Sequence, residues 1–503
     1  MDSEENQEPQ LPASVGLMGL IKALNLKVPL PAVRSTISSG ARKTTNISGI
    51  INEYYPKSYA PQGLFGNIKF AMRYEPVDLE VWQAVFESID EKWLEKQIKN
   101  EPTGIYTRRV WYLYELLSGK ILDVADVPRT GAVDLLNPKL HITGPGKYIQ
   151  RQKINDNLLG NVWYCPLIRR TDKLTGLIDE NLEAQAKTLV SNCDPIILAR
   201  AVNYLYTKET KSSFAIEGET VSKDWAERFV AVLSHAAEFD TSSKEALIKL
   251  QNSIVDPRYA DSDYREVQNY VGQTMMDYSE QIHYVCPKPE DVEDLMTGWM
   301  KFVDKINRSE TNAVCAAAAT AFGFVFIHPF EDGNGRIHRF LIHHILAKLS
   351  FTPPELLFPV SAVILRNAAV YSKVLEEFSS SILPFIDYDL NSDGTMNVHN
   401  NIAKLYRYWD ATVFAEYLYE CIKETIQKDL NEELGFLVMF DNAMKATKEI
   451  IDMPNQKASL LVRLILQNKG KLSKTKREKF AEITDEEISR IETAIANSTE
   501  SDD

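Results

Sequence analysis

At 503 residues the chain is too long for one hydrophobic core, so several domains are expected. Hydrophobic residues make up 44% and charged residues 25%, an ordinary globular balance that excludes wholesale disorder. A net charge of −14 argues against nucleic acid as the main partner, and five scattered cysteines without a C-x-x-C pair exclude a disulfide framework and a zinc ribbon.

Residues 1–14 are polar and acidic and are read as a disordered tail. They do not resemble a secretory signal, and no segment approaches the roughly 20 apolar residues of a membrane span, so a cytoplasmic protein is expected. From 15 to 175, short helical patterns alternate with loops such as Tyr59-Ala60-Pro61-Gln62-Gly63, which suggests a separate N-terminal domain. A central unit is placed at 176–400. Within it Ser242 and Glu245 read as a capping box ahead of Leu247, Ile248 and Leu250.

Tyr270, Val271, Ile282, Tyr284 and Val285 flank a polar middle, which predicts a β-hairpin or extended flap at about 270–285. Pro289 opens a helix in which Val292, Leu295, Met296, Trp299, Phe302, Val303 and Ile306 recur at helical spacing. The apolar run Ala316–Phe330, broken by Gly323, reads as a buried helix. Helical patterns follow over Val360–Ile382, Ile402–Leu430 and Glu432–Ile451, interrupted at Phe385–Val398 with Asp393-Gly394 as a turn. Residues 401–497 form a C-terminal helical domain, open to a helix-turn-helix reading, in which Thr484 and Glu487 make a second capping box. A tail is expected at 498–503. The fold class is mainly α with a hairpin flap, and both flanking domains are expected to be helical.

The most informative stretch is His328-Pro329-Phe330-Glu331-Asp332-Gly333-Asn334-Gly335-Arg336-Ile337-His338-Arg339. An apolar helix delivers the chain to His328; a Gly-Asn-Gly loop then opens a second helix near Gly335. Such a loop leaves backbone N–H groups pointing outward as an anion nest. Arg336 and Arg339, three apart, share a face suited to phosphate oxygens. Asp332 is placed to hold Mg2+, which needs few protein carboxylates when phosphates complete its shell. His328, with an ordinary pKa of about 6.5, suits general-base work. Base, metal carboxylate and phosphate cradle within twelve residues point to phosphate-ester chemistry.

This stretch resembles the Fic family signature H-x-F-x-[DE]-G-N-G-R-x-x-R at every fixed position, and the surroundings from about 200 to 385 are similar to the family's core. The resemblance implies a protein adenylyltransferase. His328 would deprotonate a Ser, Thr or Tyr hydroxyl of a target protein, or of the chain itself, for attack on the α-phosphorus of ATP. Asp332 would hold Mg2+, Gly333, Asn334 and Gly335 would cradle the α- and β-phosphates, Arg336 would hold the β-phosphate and Arg339 the γ-phosphate. Phe330 would anchor the loop, and the flap would dock the target's backbone as an added strand.

Ser213, Glu217 and Gly218 match the family's inhibitory pattern [ST]-x-x-x-E-[GN] at about 212–220. The match implies that Glu217 pairs with Arg339 and takes the place of the γ-phosphate. Two other readings stay open: a relative that removes AMP or uses another nucleotide, and an ATP-sensing regulator binding DNA or a partner through its C-terminal helices. Self-association is also open.

Several look-alikes carry less. His338, His343 and His344 have no i, i+4 pair for zinc. Gly146-Lys147 lacks the first glycine of a P-loop. Asp389, Asn391, Asp393 and Gly394 start like an EF-hand loop, but Asn400 stands where a bidentate Glu is needed, which favours a hairpin turn. The basic run Lys469, Lys471, Lys474, Lys476, Arg477 and Lys479 reads as a solvated helix surface. Arg108, Arg109, Arg169 and Arg170 receive no chemical role.

Overall fold

The computed structural model of the chain describes residues 13–47, 49–220, 222–275, 280–354 and 356–499. Residues 1–12 and 500–503, most of the expected tails, lie outside it, as does the tip of the flap at 276–279. Within the described residues the fold is mainly α, with a few small sheets.

Residues 13 and 14, assigned to the tail by their polarity, belong instead to a strand. Ala13–Val15 pairs antiparallel with Val33–Ser38, which runs parallel to Ile50–Pro56; Lys43–Ile47 closes the sheet antiparallel to that last strand. Strand pairing uses backbone groups, so a polar side chain such as Ser14 does not prevent it. At the other end, the helix Asp485–Thr499 runs past the expected start of the tail at Ser498.

The N-terminal part is therefore mixed rather than wholly helical. Its sheet lies with the helices Gly63–Tyr74, Leu79–Ser88, Glu91–Asn100 and Ile105–Ser118. These helices bury Trp82, Leu94, Val110 and Trp111 in an apolar cluster of their own. Arg108 and Arg109, given no chemistry by the sequence, donate to the carbonyls of Gly131, Lys153 and Asp134 and so brace loops. Arg169 pairs with Asp410 at 2.6 Å.

The main core is built around Ala313–Ile327, a helix apolar on nearly every side and buried except at Ala313 and Val325, which are partly buried. Such a helix can exist only where neighbours cover its whole circumference. Pro289–Asn307, Asn334–Lys348 and Thr412–Glu424 supply that cover. Gly323 is required there, because a Cβ at this position would lie 1.5 Å from Tyr164 Oη.

The hairpin expected at 270–285 is present as Tyr270–Thr274 paired antiparallel with Glu280–Val285, with an irregularity at Val271/Gly272. Asp393-Gly394 turns a second hairpin, Tyr388–Leu390 with Met396–Val398. Capping agrees in one place and shifts in the other. Thr484 and Glu487 exchange backbone N–H bonds at 2.8 and 3.2 Å. The helix Lys244–Ile254 is capped by Ser243, whose hydroxyl accepts from Ala246 N–H at 3.1 Å. Ser242, one residue too early, instead bonds Asp240.

The C-terminal helices 431–450, 455–467 and 485–499 enclose a third apolar cluster containing Leu461, Ile465 and Ile491. Lys471 and Arg477 of the basic run pair with Glu492 and Asp485 at the surface of this unit. All five cysteines are free thiols. Among the described residues, no helix is long and apolar enough to cross a membrane.

Candidate active site

The site forms where the end of the Ala313–Ile327 helix meets the start of Asn334–Lys348, here the motif helix. His328 caps the first helix in the left-handed conformation, φ 53° and ψ 58°, with its N–H on Phe324 O at 2.9 Å. Glycine is the usual residue at this position, and a non-glycine held there marks a place where the surroundings fix the side chain. Its Nδ1 lies 3.1 Å from Val325 O, so Nδ1 carries the proton and donates, leaving the Nε2 lone pair free. Desolvation pushes the imidazole down to about 4, and it is neutral at pH 7.

The loop is held by a clamp within it and by contacts from distant stretches of sequence. Asn334 accepts from Phe330 N–H at 3.1 Å and donates to Phe330 O at 2.8 Å, and Phe330 is fully buried against Tyr264 and Phe324. The Asn334 side chain therefore clamps the loop. The first N–H groups of the helix that follows have no acceptor within it. Gly333 makes the turn at φ 88°.

Two residues that the sequence reading missed complete the support. Arg265, 4% exposed, donates to His328 O at 2.7 Å and to Pro287 O at 2.6 Å, tying His328 to the foot of the flap. Gln251 donates to Asp332 O at 3.2 Å and to Asp261.

The helix Pro195–Ile216, here the latch helix, brings the upstream motif to this loop. Arg339 Nε donates to Ser213 Oγ at 2.8 Å, and Nη2 donates to Ser213 O at 2.9 Å and Glu217 Oε1 at 2.7 Å. The end of the latch helix explains the pattern E-[GN]. Gly218 N–H returns to Ala215 O and Glu219 N–H to Phe214 O, the two bonds of a Schellman ending, with Gly218 at φ 74°. Only Gly or Asn takes that position readily, and it turns Glu217 toward the motif helix. A carboxylate at the negative end of its own helix is disfavoured; the buried Arg339 offsets this. Glu217 Oε1 would lie 2.2 Å from a Cβ at Gly335, so the carboxylate sits against the first turn of the motif helix, where an anion is favoured.

Arg336 and Arg339 both face this segment, as their spacing predicts. Arg336 Nη2 donates to both oxygens of Asp332 at 2.9 Å, and Nη1 donates to Glu219 Oε2 at 3.0 Å. The three nearby histidines diverge: His338 packs on Phe322, His343 bonds Glu209, and His344 bonds Ala236 O.

Residues 241–346 match the model of the Fic/DOC family. Protein adenylyltransferase Fic of Nematostella vectensis is 36% identical over 70 residues, 14% of this chain and 16% of that protein. The protein of the same name from Drosophila melanogaster is 27% identical over 161 residues, 31% of this chain and 30% of that one. This chain thus matches less than a third of the length of these relatives. Among solved structures, a Fic family protein from Desulfovibrio desulfuricans G20 is 18% identical with a TM-score of 0.39, covering 61% of this chain and 90% of that one. A Fic domain containing signaling protein from Bacteroides thetaiotaomicron is 18% identical with a TM-score of 0.36, covering 52% and 97%. The chain carries a Fic/DOC-family domain, and the His328–Arg339 loop lies inside it.

Proposed function

We propose that this protein is an autoinhibited protein adenylyltransferase acting on a Ser, Thr or Tyr hydroxyl. The observation that carries this reading is a neutral His328, its Nε2 unprotonated, beside a helix N-terminus whose arginine is held by Glu217. In the reaction the target hydroxyl gives its proton to His328 Nε2. Its oxygen forms a bond to the α-phosphorus of ATP as the bond to the bridging oxygen of pyrophosphate breaks, leaving AMP on the target. Backbone amides of 334 and 335, and that of 333 once Asp332 gives it up, receive phosphate oxygens, and Arg336 and Arg339 orient the β- and γ-phosphates.

Asp332 fits a metal that arrives with a nucleotide. Its side chain is 46% exposed, and no group of three or more His, Cys, Asp or Glu residues among the described residues forms a separate metal cage. One carboxylate suits Mg2+ shared with phosphates, and when bound the ion would neutralise charge on them. Arg336 must first release Asp332. The flap edge offers backbone groups to an extended target segment. Five free thiols suit a reducing cytoplasm.

The test is label transfer from α-32P-ATP with Mg2+, using self-modification as the readout. Strong labelling is expected in Glu217→Gly and its loss in Glu217→Gly with His328→Ala. Equal labelling in both variants removes His328 as the base, and no labelling in any form overturns the transferase reading.

A further inference from the structure

The upstream motif supplies one inhibitory carboxylate, yet the geometry contains a second. Arg336 is buried, with 2% of its side chain exposed, and its four terminal N–H hydrogens are all committed. Nη1 serves Glu219 Oε2 at 3.0 Å and Ile254 O at 2.9 Å, and Nη2 serves both oxygens of Asp332. The guanidinium plane also lies over Phe214, 5.3 Å from the ring centroid. Nε is buried without a partner, so a phosphate oxygen that reaches the terminal nitrogens of this arginine displaces one of those acceptors.

The three acceptors differ in their freedom to leave. Ile254 O belongs to the end of a helix and cannot turn away alone. Asp332, held in the loop by Gly333 N–H at 2.6 Å, leaves Arg336 only to take up the metal and stays beside the phosphates as its ligand. Glu219 has a side chain 39% exposed, stands after Gly218, and has no other side-chain partner among the described residues. It is the acceptor that can yield. Three carboxylates, Glu217, Glu219 and Asp332, therefore face two guanidinium groups, and the local field opposes an incoming polyanion until one of them withdraws.

We propose that Glu219 is a second inhibitory carboxylate, holding Arg336 against the β-phosphate as Glu217 holds Arg339 against the γ-phosphate. This rests on the nucleotide-binding reading of the site. Glu219 is a positioning residue, acting through Arg336. Because the Schellman ending presents both carboxylates from one glycine, the latch has two steps that different nucleotides can tell apart. AMP reaches neither arginine, ADP meets only the Glu219 step, and ATP meets both.

The experiment is calorimetric titration of the full chain with Mg2+ and ATP, ADP or AMP, for wild type, Glu217→Gly and Glu219→Gln. Removing the charge at 219 is expected to tighten ADP by about tenfold, between the worth of an exposed and a buried pair, and to leave AMP unchanged. Glu217→Gly is expected to leave ADP unchanged. A general loosening of the fold would move AMP as well and lower the melting temperature, which a gate on Arg336 does not do. Wild-type affinity for ADP in Glu219→Gln overturns the second latch alone. Failure of every variant to bind any nucleotide overturns the site reading beneath it.

Discussion

The latch helix meets the motif helix through two carboxylates that stand as opposites. Glu209 is 1% exposed, and its oxygens accept from His343 Nε2 at 2.8 Å, from Ser361 N–H at 2.8 Å and from the Ser361 hydroxyl. Glu217, about two turns further on, has 37% of its side chain exposed and holds Arg339. Both are glutamates joining the same two helices, yet removing the first strands buried polar groups, whereas water or a phosphate can take over from the second. Arg200–Asp441 and Lys208–Asp429 fasten the Glu209 end to the helices behind it. The helix is anchored at depth and more exposed at its tip, as the proposed brake needs: an inhibitory contact must be strong enough to form and shallow enough to exchange.

The sharpest way to break this comparison is to truncate both residues. Glu209→Ala should lower stability by about 3–5 kcal/mol, because the buried His343 Nε2, Ser361 N–H and Ser361 hydroxyl lose their acceptor together. Glu217→Ala should lower it by less than about 1 kcal/mol, since Arg339 keeps both bonds to Ser213. Urea denaturation followed on the first unfolding transition measures both, and equal losses would dissolve the distinction.

Gly218→Val addresses the tip alone. A β-branched residue at φ 74° is strained by about 1–2 kcal/mol, and relief of that strain displaces Glu217 and Glu219 together. Self-labelling is expected to rise several-fold over wild type while the melting temperature falls by a few degrees. Unchanged labelling would mean that the carboxylates do not depend on the Schellman ending.

The smallest expected effect is one of pH. The pKa of His328 is lowered, so the neutral base persists below the usual histidine range and is lost only as pH falls through about 4. Labelling by Glu217→Gly should then stay level from pH 8 to pH 5. A half-maximal point near the ordinary value of about 6.5 would place His328 in water rather than in the desolvated pocket.

The sequence announced some of this and concealed the rest for physical reasons. The His328–Arg339 loop was legible because its parts are contiguous and their spacing fixes their geometry. Ser213, Glu217 and Gly218 were legible for the same reason, one helical turn carrying the hydroxyl, the carboxylate and the αL residue. Arg265, Gln251 and Glu209 were not, because each acts on residues some 60 to 150 positions away and carries no local pattern. Glu219 was passed over as one more acidic residue after a helix end. Asn334 was read as a phosphate ligand from its place in the motif, and only the folded loop reveals that its amide is used on Phe330. The N-terminal sheet escaped notice because strands such as Lys43–Ile47 are short and largely exposed, with little apolar alternation.

The central claim is that the released site transfers AMP. Parallel labelling of Glu217→Gly with α-32P-ATP and γ-32P-ATP tests it most directly. Label retained on protein from the α-position alone is the predicted result, whereas label retained from the γ-position would contradict the account and make the chemistry phosphoryl transfer.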